Sequence, residues 1–162
     1  MAYDDIFARL KVDHDRHRKL LAQIEQTTGA SDERAALFAE FTFEAKGHAA
    51  AEEQALYSTV LRKPPLTACG RHSVAEHHEI EEALNDIAAT DMSTGGWLTK
   101  FKSLSERYLH HIQEEEDEMF PKFAAELTEE DATFMREVFE RRKAAEKDKA
   151  EVTPEKKEDS KE

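Results

Sequence analysis

The stretch HAAAEEQALYS, residues 48–58, returns in outline as HIQEEEDEMFP, residues 111–121. Each reads His, three residues, Glu-Glu, two residues, a large apolar residue and an aromatic. Residues four apart lie one above the other on a helix, so His48 and Glu52 share a face, as do His111 and Glu115. In both stretches that face leads into core-type side chains, Leu56-Tyr57 and Met119-Phe120. An ionised carboxylate on a buried stripe is costly unless something compensates it.

The spacing alone is not selective, because six of the 8 histidines have Glu four residues on. An internal repeat selects among them. Since 111 − 48 = 63, a shift of 63 residues lays His48-Glu52 on His111-Glu115 and Leu56-Tyr57 on Met119-Phe120. The same shift lays Asp13-His14 on Glu76-His77, Leu21 on Leu84 and Ile24 on Ile87. Within each half the acid-His pair precedes the His-x-x-x-Glu motif by a fixed interval, 48 − 14 = 34 and 111 − 77 = 34. The chain therefore reads as two copies of a helix pair, with His14, His77 and His111 chosen over His17, His78 and His110.

The rest of the chain fits that frame. Phe7, Leu10, His14, His17, Leu21 and Ile24 step by three and four, which predicts a helix over about 3–27. Gly29 stops it, and Ser31 is a suitable N-cap for a second helix that reaches about 61, before Pro64-Pro65. A third helix is expected over 67–89 and a fourth over 97–127, joined by the loop TDMSTGG. Thr128 and Asp131 have the spacing of a capping box and should open a fifth, shorter helix. The expected class is all-α: an antiparallel up-down-up-down four-helix bundle over 1–127, an accessory C-terminal helix over 128–144, and a charged, disordered tail over 145–162. With 5 Gly and 4 Pro in 162 residues, few breakers interrupt long helices.

Charge and cysteine content narrow the function. A net charge of -13 argues against nucleic acid, which is bound by neutralising phosphates with Lys and Arg. Cys69 is the single cysteine, so an internal disulfide and a thiolate zinc cluster are excluded. The start MAYDDIF lacks the basic and apolar regions of a signal peptide, and no apolar run has the length of a membrane span. A cytoplasmic protein is expected, with no membrane partner; no protein partner is specified.

Four imidazoles and two carboxylates on one bundle axis exceed a tetrahedral zinc site and suit two six-coordinate first-row ions, iron before manganese. Each ion would take two His, one oxygen from each of two bridging Glu, and a bridging oxo or hydroxo group. One position would remain open for a small ligand. The ferritin arrangement needs Glu three residues before His, and no histidine here has it.

The pattern H…HxxxE…H…HxxxE, carried by His14, His48, Glu52, His77, His111 and Glu115, resembles the hemerythrin-like (HHE cation-binding) family over about residues 3–127. The ending through Met119-Phe120-Pro121 is similar to it as well. The resemblance implies a non-haem di-iron centre binding O2, NO or peroxide, in sensing or in oxidative and nitrosative stress defence. As an enzyme it would be a peroxide- or NO-handling di-iron oxidoreductase. The alternative is an iron-dependent structural or interaction protein, or an iron sensor, without turnover. Oxygen-carrying members have a further His one turn from the third-helix ligand; here those places hold Ser73 and Glu81. His17, which the shift sets opposite Ile80, and Tyr108, opposite Ala45, are candidates for an additional ligand or a contact just outside the ligand set. Glu53, Glu116, His72, His78 and His110 are expected in solvent or at bundle edges, and Tyr57 and Phe120 in the core.

Overall fold

The computed structural model describes residues 5–150, and these form helices joined by short turns, with no strand among them. The long helices are α1 (Ile6–Glu25), α2 (Asp32–Glu52), α4 (Thr67–Ala88), α5 (Gly95–Glu114) and α7 (Glu129–Ala150); α3 (Ser58–Val60) and α6 (Phe120–Glu126) extend α2 and α5. The caps are local and chemical. Asp5, Ser31 and Thr94 each turn a side-chain oxygen to a backbone N–H in the first turn of α1, α2 and α5. Gly29, at φ 58°, gives the α1–α2 turn the left-handed residue that a side chain would strain. Thr128 and Asp131 cap α7 reciprocally, with Asp131 N–H donating to Thr128 Oγ1 (3.0 Å) and Thr128 N–H donating to Asp131 Oδ2 (3.3 Å).

α1 packs on α2, α4 on α5, and α1 on α5, which closes a four-helix bundle. The apolar core comes in two clusters. Ile6, Leu10, Leu56, Tyr57, Phe120 and Phe123 form one, and Leu20, Leu21, Phe41, Leu84, Trp97 and Phe101 form the other. Along α1, His14 and His17 lie between Leu10 and Leu20, so a buried polar layer separates the clusters. At the far end Arg34 is buried, donates to Thr27 Oγ1 and O, and stacks over Trp97 at 4.7 Å. It thereby satisfies a carbonyl at the end of α1 that would otherwise be orphaned.

Two features differ from the sequence expectation. The second and fourth helices are not continuous α-helix, because π-helical turns over Glu53–Tyr57 and Glu115–Met119 interrupt them beside the predicted ligands. The fifth helix is not short: α7 continues past 144 to Ala150, and lies along α1, α2 and the first π turn. An i,i+4 pair, Arg142–Glu146 at 2.8 Å, supports the added turns without an apolar face. From 151 onward the expected tail lies outside the described residues.

Candidate metal centre

His14, His48, Glu52, His77, His111 and Glu115 all converge in the buried layer, and none is more than 8% exposed. Their donor atoms form two groups that share Glu52: His14, His48 and Glu52 in one, Glu52, His77, His111 and Glu115 in the other. Glu52 Oε2 lies 3.6 Å from His48 Nε2, and Glu52 Oε1 lies 3.0 Å from His77 Nε2. Glu115 Oε1 lies 3.0 Å from His111 Nε2 and 3.7 Å from His14 Nε2. The rings pair as His14 with His48 (centroids 5.1 Å apart) and His77 with His111 (5.0 Å).

Each imidazole is held from behind by a carboxylate. Nδ1–H of His14 donates to Glu116 (2.7 Å), of His48 to Asp13 (2.8 Å), of His77 to Glu53 (2.9 Å) and of His111 to Glu76 (2.9 Å). An ionised carboxylate only accepts, so each ring carries a proton on Nδ1, and a metal at Nε2 would take the place of any second proton. The four acids obey the same repeat: 13 + 63 = 76 and 53 + 63 = 116. Glu53 and Glu116 are therefore not the solvated residues expected. Each reaches sideways from its own helix to a histidine of the other half.

The inward atoms are what a metal would use. Among the described residues Nε2 of His14, His48 and His111, both oxygens of Glu52, and Glu115 Oε1 are buried with no hydrogen-bond partner. Buried orphans on this scale are rare in native proteins, and their chemistry, imidazole and carboxylate, is that of first-row metal ligands. The electrostatics reflect the negative charge gathered in the layer. Burial disfavours charge on His77 and His111, yet their hydrogen bonds and the charges of Glu52 and Glu115 raise them to about 9 and about 10. Burial would raise Asp13, but the hydrogen bond to His48 and the charges of His48 and Lys143 hold it well below the usual carboxylate range.

Two phenols border the layer. Tyr57 Oη lies 2.7 Å from Glu115 Oε2 and 2.8 Å from Ser73 Oγ, so the residue read as core is also a donor to the carboxylate. Tyr108 Oη lies 2.6 Å from Nδ1 of His17. Burial, with the charge of Glu115 second, pushes both phenols well above their usual range, so both stay protonated. His17 is fully buried, stands outside both donor groups, and is held neutral by burial. A hydroxyl can donate or accept, so the Tyr108 contact leaves the His17 tautomer open, unlike the four carboxylate-held rings.

A cavity of about 420 Å³ reaches this layer between α2 and α4, and His48, His77, His111, Glu115 and Tyr108 line it together with exposed His78. Arg142 and Glu146 of α7 line it too, and Arg142 donates to Gln54 (2.8 Å). α7 also touches the centre's support: Phe139 meets the His48 ring at 5.7 Å and Lys143 Nζ lies 3.1 Å from Asp13. Nothing in the sequence pairs Phe139 with His48, since the contact joins an element outside the repeat. Tyr57 and the two outer glutamates had one readable signal, their place beside the predicted ligands in the repeated stretch.

The sequence profile described as "Hemerythrin HHE cation binding domain" matches residues 5–123. Among solved structures, the chain is similar to the hemerythrin HHE cation binding domain-containing protein that is the Rv2633c homolog from Mycobacterium kansasii. The TM-score is 0.79 at 24% identity, over 90% of this chain and 89% of that one. Comparison with curated proteins gives no match. The shared fold, the matched span and the buried His/Glu layer agree: the chain belongs to the hemerythrin HHE cation-binding domain family.

Proposed function

We propose that this chain is a non-haem di-iron protein that binds O2, NO or H2O2 at a carboxylate-bridged iron pair, in sensing or in oxidative and nitrosative stress defence. The observation that carries the reading is the set of carboxylate-held imidazoles whose Nε2 atoms face two buried glutamates. His14 and His48 would hold one iron, His77 and His111 the other, and Glu52 and Glu115 would serve both. Six such donors exceed what one tetrahedral zinc takes and leave room for an exogenous ligand. When bound, the iron pair, with an oxo or hydroxo bridge, supplies redox chemistry and an open coordination position.

The chain's own residues do the rest. The cavity between α2 and α4 admits a small molecule to a layer that is otherwise flanked by the two apolar clusters. Tyr108 lines that cavity, and its protonated oxygen, 2.6 Å from His17 Nδ1, would be the donor to a ligand atom bound nearby. Tyr57 holds Glu115 in orientation. A second reading, an iron-dependent sensor or interaction protein without turnover, is favoured by the contact of α7 with His48 and Asp13.

Anaerobic titration of iron-loaded protein with O2, NO and H2O2, followed optically, separates the two. Catalytic consumption of peroxide or NO supports an oxidoreductase, whereas stoichiometric optical changes without consumption support a sensor. No optical response to any of the three would reject small-ligand binding.

A further inference from the structure

The two halves differ in what stands behind the acid that orients the second-helix histidine. In the first half Asp13, which holds His48, is clamped by Arg9 Nη1 at 2.7 Å and Lys143 Nζ at 3.1 Å. The cations there are built into the chain. The shift of 63 lays Arg9 on His72, Asp13 on Glu76, Gly47 on His110 and Ala51 on Glu114. In the second half, then, an arginine is replaced by an imidazole and two small residues by an imidazole and a carboxylate. His72 Nε2 lies 3.2 Å from Glu76 Oε1 and 3.3 Å from Glu114 Oε1. His110 Nε2 lies 3.3 Å from the other oxygen of Glu114.

We infer that His72, Glu76 and Glu114 form a second metal site, on the surface between α4 and α5, for a divalent first-row transition-metal ion. One donor atom from each of the three lies within 4.8 Å of the others. Bonds of about 2.0–2.2 Å at tetrahedral or octahedral angles set neighbouring donors about 3.0–3.5 Å apart, the spacing His72 Nε2 keeps to both carboxylates. The His72 side chain is 52% exposed while Glu76 and Glu114 are 15% and 21% exposed, so the carboxylates are fixed and the imidazole can close over an arriving ion. An imidazole with two carboxylates prefers zinc, ferrous iron or cobalt to calcium or magnesium. A surface cavity of about 310 Å³, lined by Cys69, His72, Glu114, Glu118 and Lys122, lies beside it and keeps the remaining positions open to solvent or a ligand. An ion here takes the role that Arg9 and Lys143 fill for Asp13: it neutralises the acid that orients a buried histidine, in this case His111.

The test is zinc binding by iron-loaded protein, measured by equilibrium dialysis with zinc and iron both counted. Wild type should take up one zinc per chain at micromolar free zinc while keeping its iron. Glu114→Gln should weaken that uptake at least 10-fold. His72→Arg, which copies the Arg9 arrangement into the second half, should abolish it while iron content and helicity stay at wild-type level. Absence of a zinc equivalent in wild type overturns the inference, as does uptake unchanged in both variants. Either result leaves the buried pair untouched, because iron is counted separately.

Discussion

Tyr57 Oη stands 2.7 Å from Glu115 Oε2, whereas Phe120, which the repeat places opposite Tyr57, offers Glu52 no hydroxyl. The two carboxylates at the centre of the layer are therefore unequal. One oxygen of Glu115 is engaged by a phenol, while the oxygens of Glu52 face only imidazoles, Oε1 that of His77 at 3.0 Å and Oε2 that of His48 at 3.6 Å.

Tyr57→Phe is expected to keep the fold and the metal content while losing about 1.5–3 kcal/mol of stability, the usual net worth of a hydrogen bond to a charged group. The iron absorption spectrum should shift, because Glu115 becomes free to reorient. Chemical denaturation and optical spectra of the iron-loaded variant check both points.

Glu53→Ala and Glu116→Ala should each lower metal affinity about 10–100-fold, the common cost of losing a carboxylate behind a ligating histidine. Glu52→Ala and Glu115→Ala should go further and disrupt the pair, since each is proposed to serve both metals. Metal content after competition with a chelator ranks the four variants. Equal content in Glu53→Ala and wild type would return Glu53 to the solvated role that its sequence position suggests.

His77 and His111, raised to about 9 and about 10, hold protons at neutral pH in protein stripped of metal. Metal loading at Nε2 must displace them, so uptake should release protons and slow as pH falls. The sign for stability is set by the same shifts. Folded values above the unfolded value of about 6.5 give a contribution fully present below that pH and lost as pH rises through 9 to 10. Thermal unfolding of stripped protein should therefore show a falling midpoint between pH 7 and pH 10, and loaded protein a flatter profile.

Phe139→Ala removes a fully buried ring that packs on His48 and should cost about 3–5 kcal/mol, whereas Phe134→Ala, on the same helix but 59% exposed, should be near neutral. Comparable destabilisation in both would mean that α7 packs differently from its described position.

His17→Leu is expected to retain two irons but change their spectrum and the rate of reaction with peroxide. His17 Nε2 is buried without a partner, and Nδ1 is tied to Tyr108. Unchanged spectra and rates would assign His17 to the core.

The bundle and the convergence of the six side chains were legible because both obey spacing within single helices. A three-to-four stripe sets the face, and the 63-residue repeat chose His14, His77 and His111 from their neighbours. The outer layer was not legible in the same way. Glu53 and Glu116 sit one residue from a proposed ligand, a position that an uninterrupted α-helix turns aside. Their partners are on other helices, His77 and His14, which no single-helix period can reveal. The π turns also escaped, since their signal is backbone hydrogen bonding rather than composition. The length of α7 escaped because it rests on an i,i+4 ion pair and contacts with α1 and α2, not on an apolar stripe.

Metal analysis of protein produced with adequate iron, combined with the optical spectrum of the same sample, tests the central claim most directly. Two irons per chain with a near-ultraviolet charge-transfer band of an oxo-bridged pair is the expected result. A single zinc per chain, with no iron taken up on reconstitution, would contradict it.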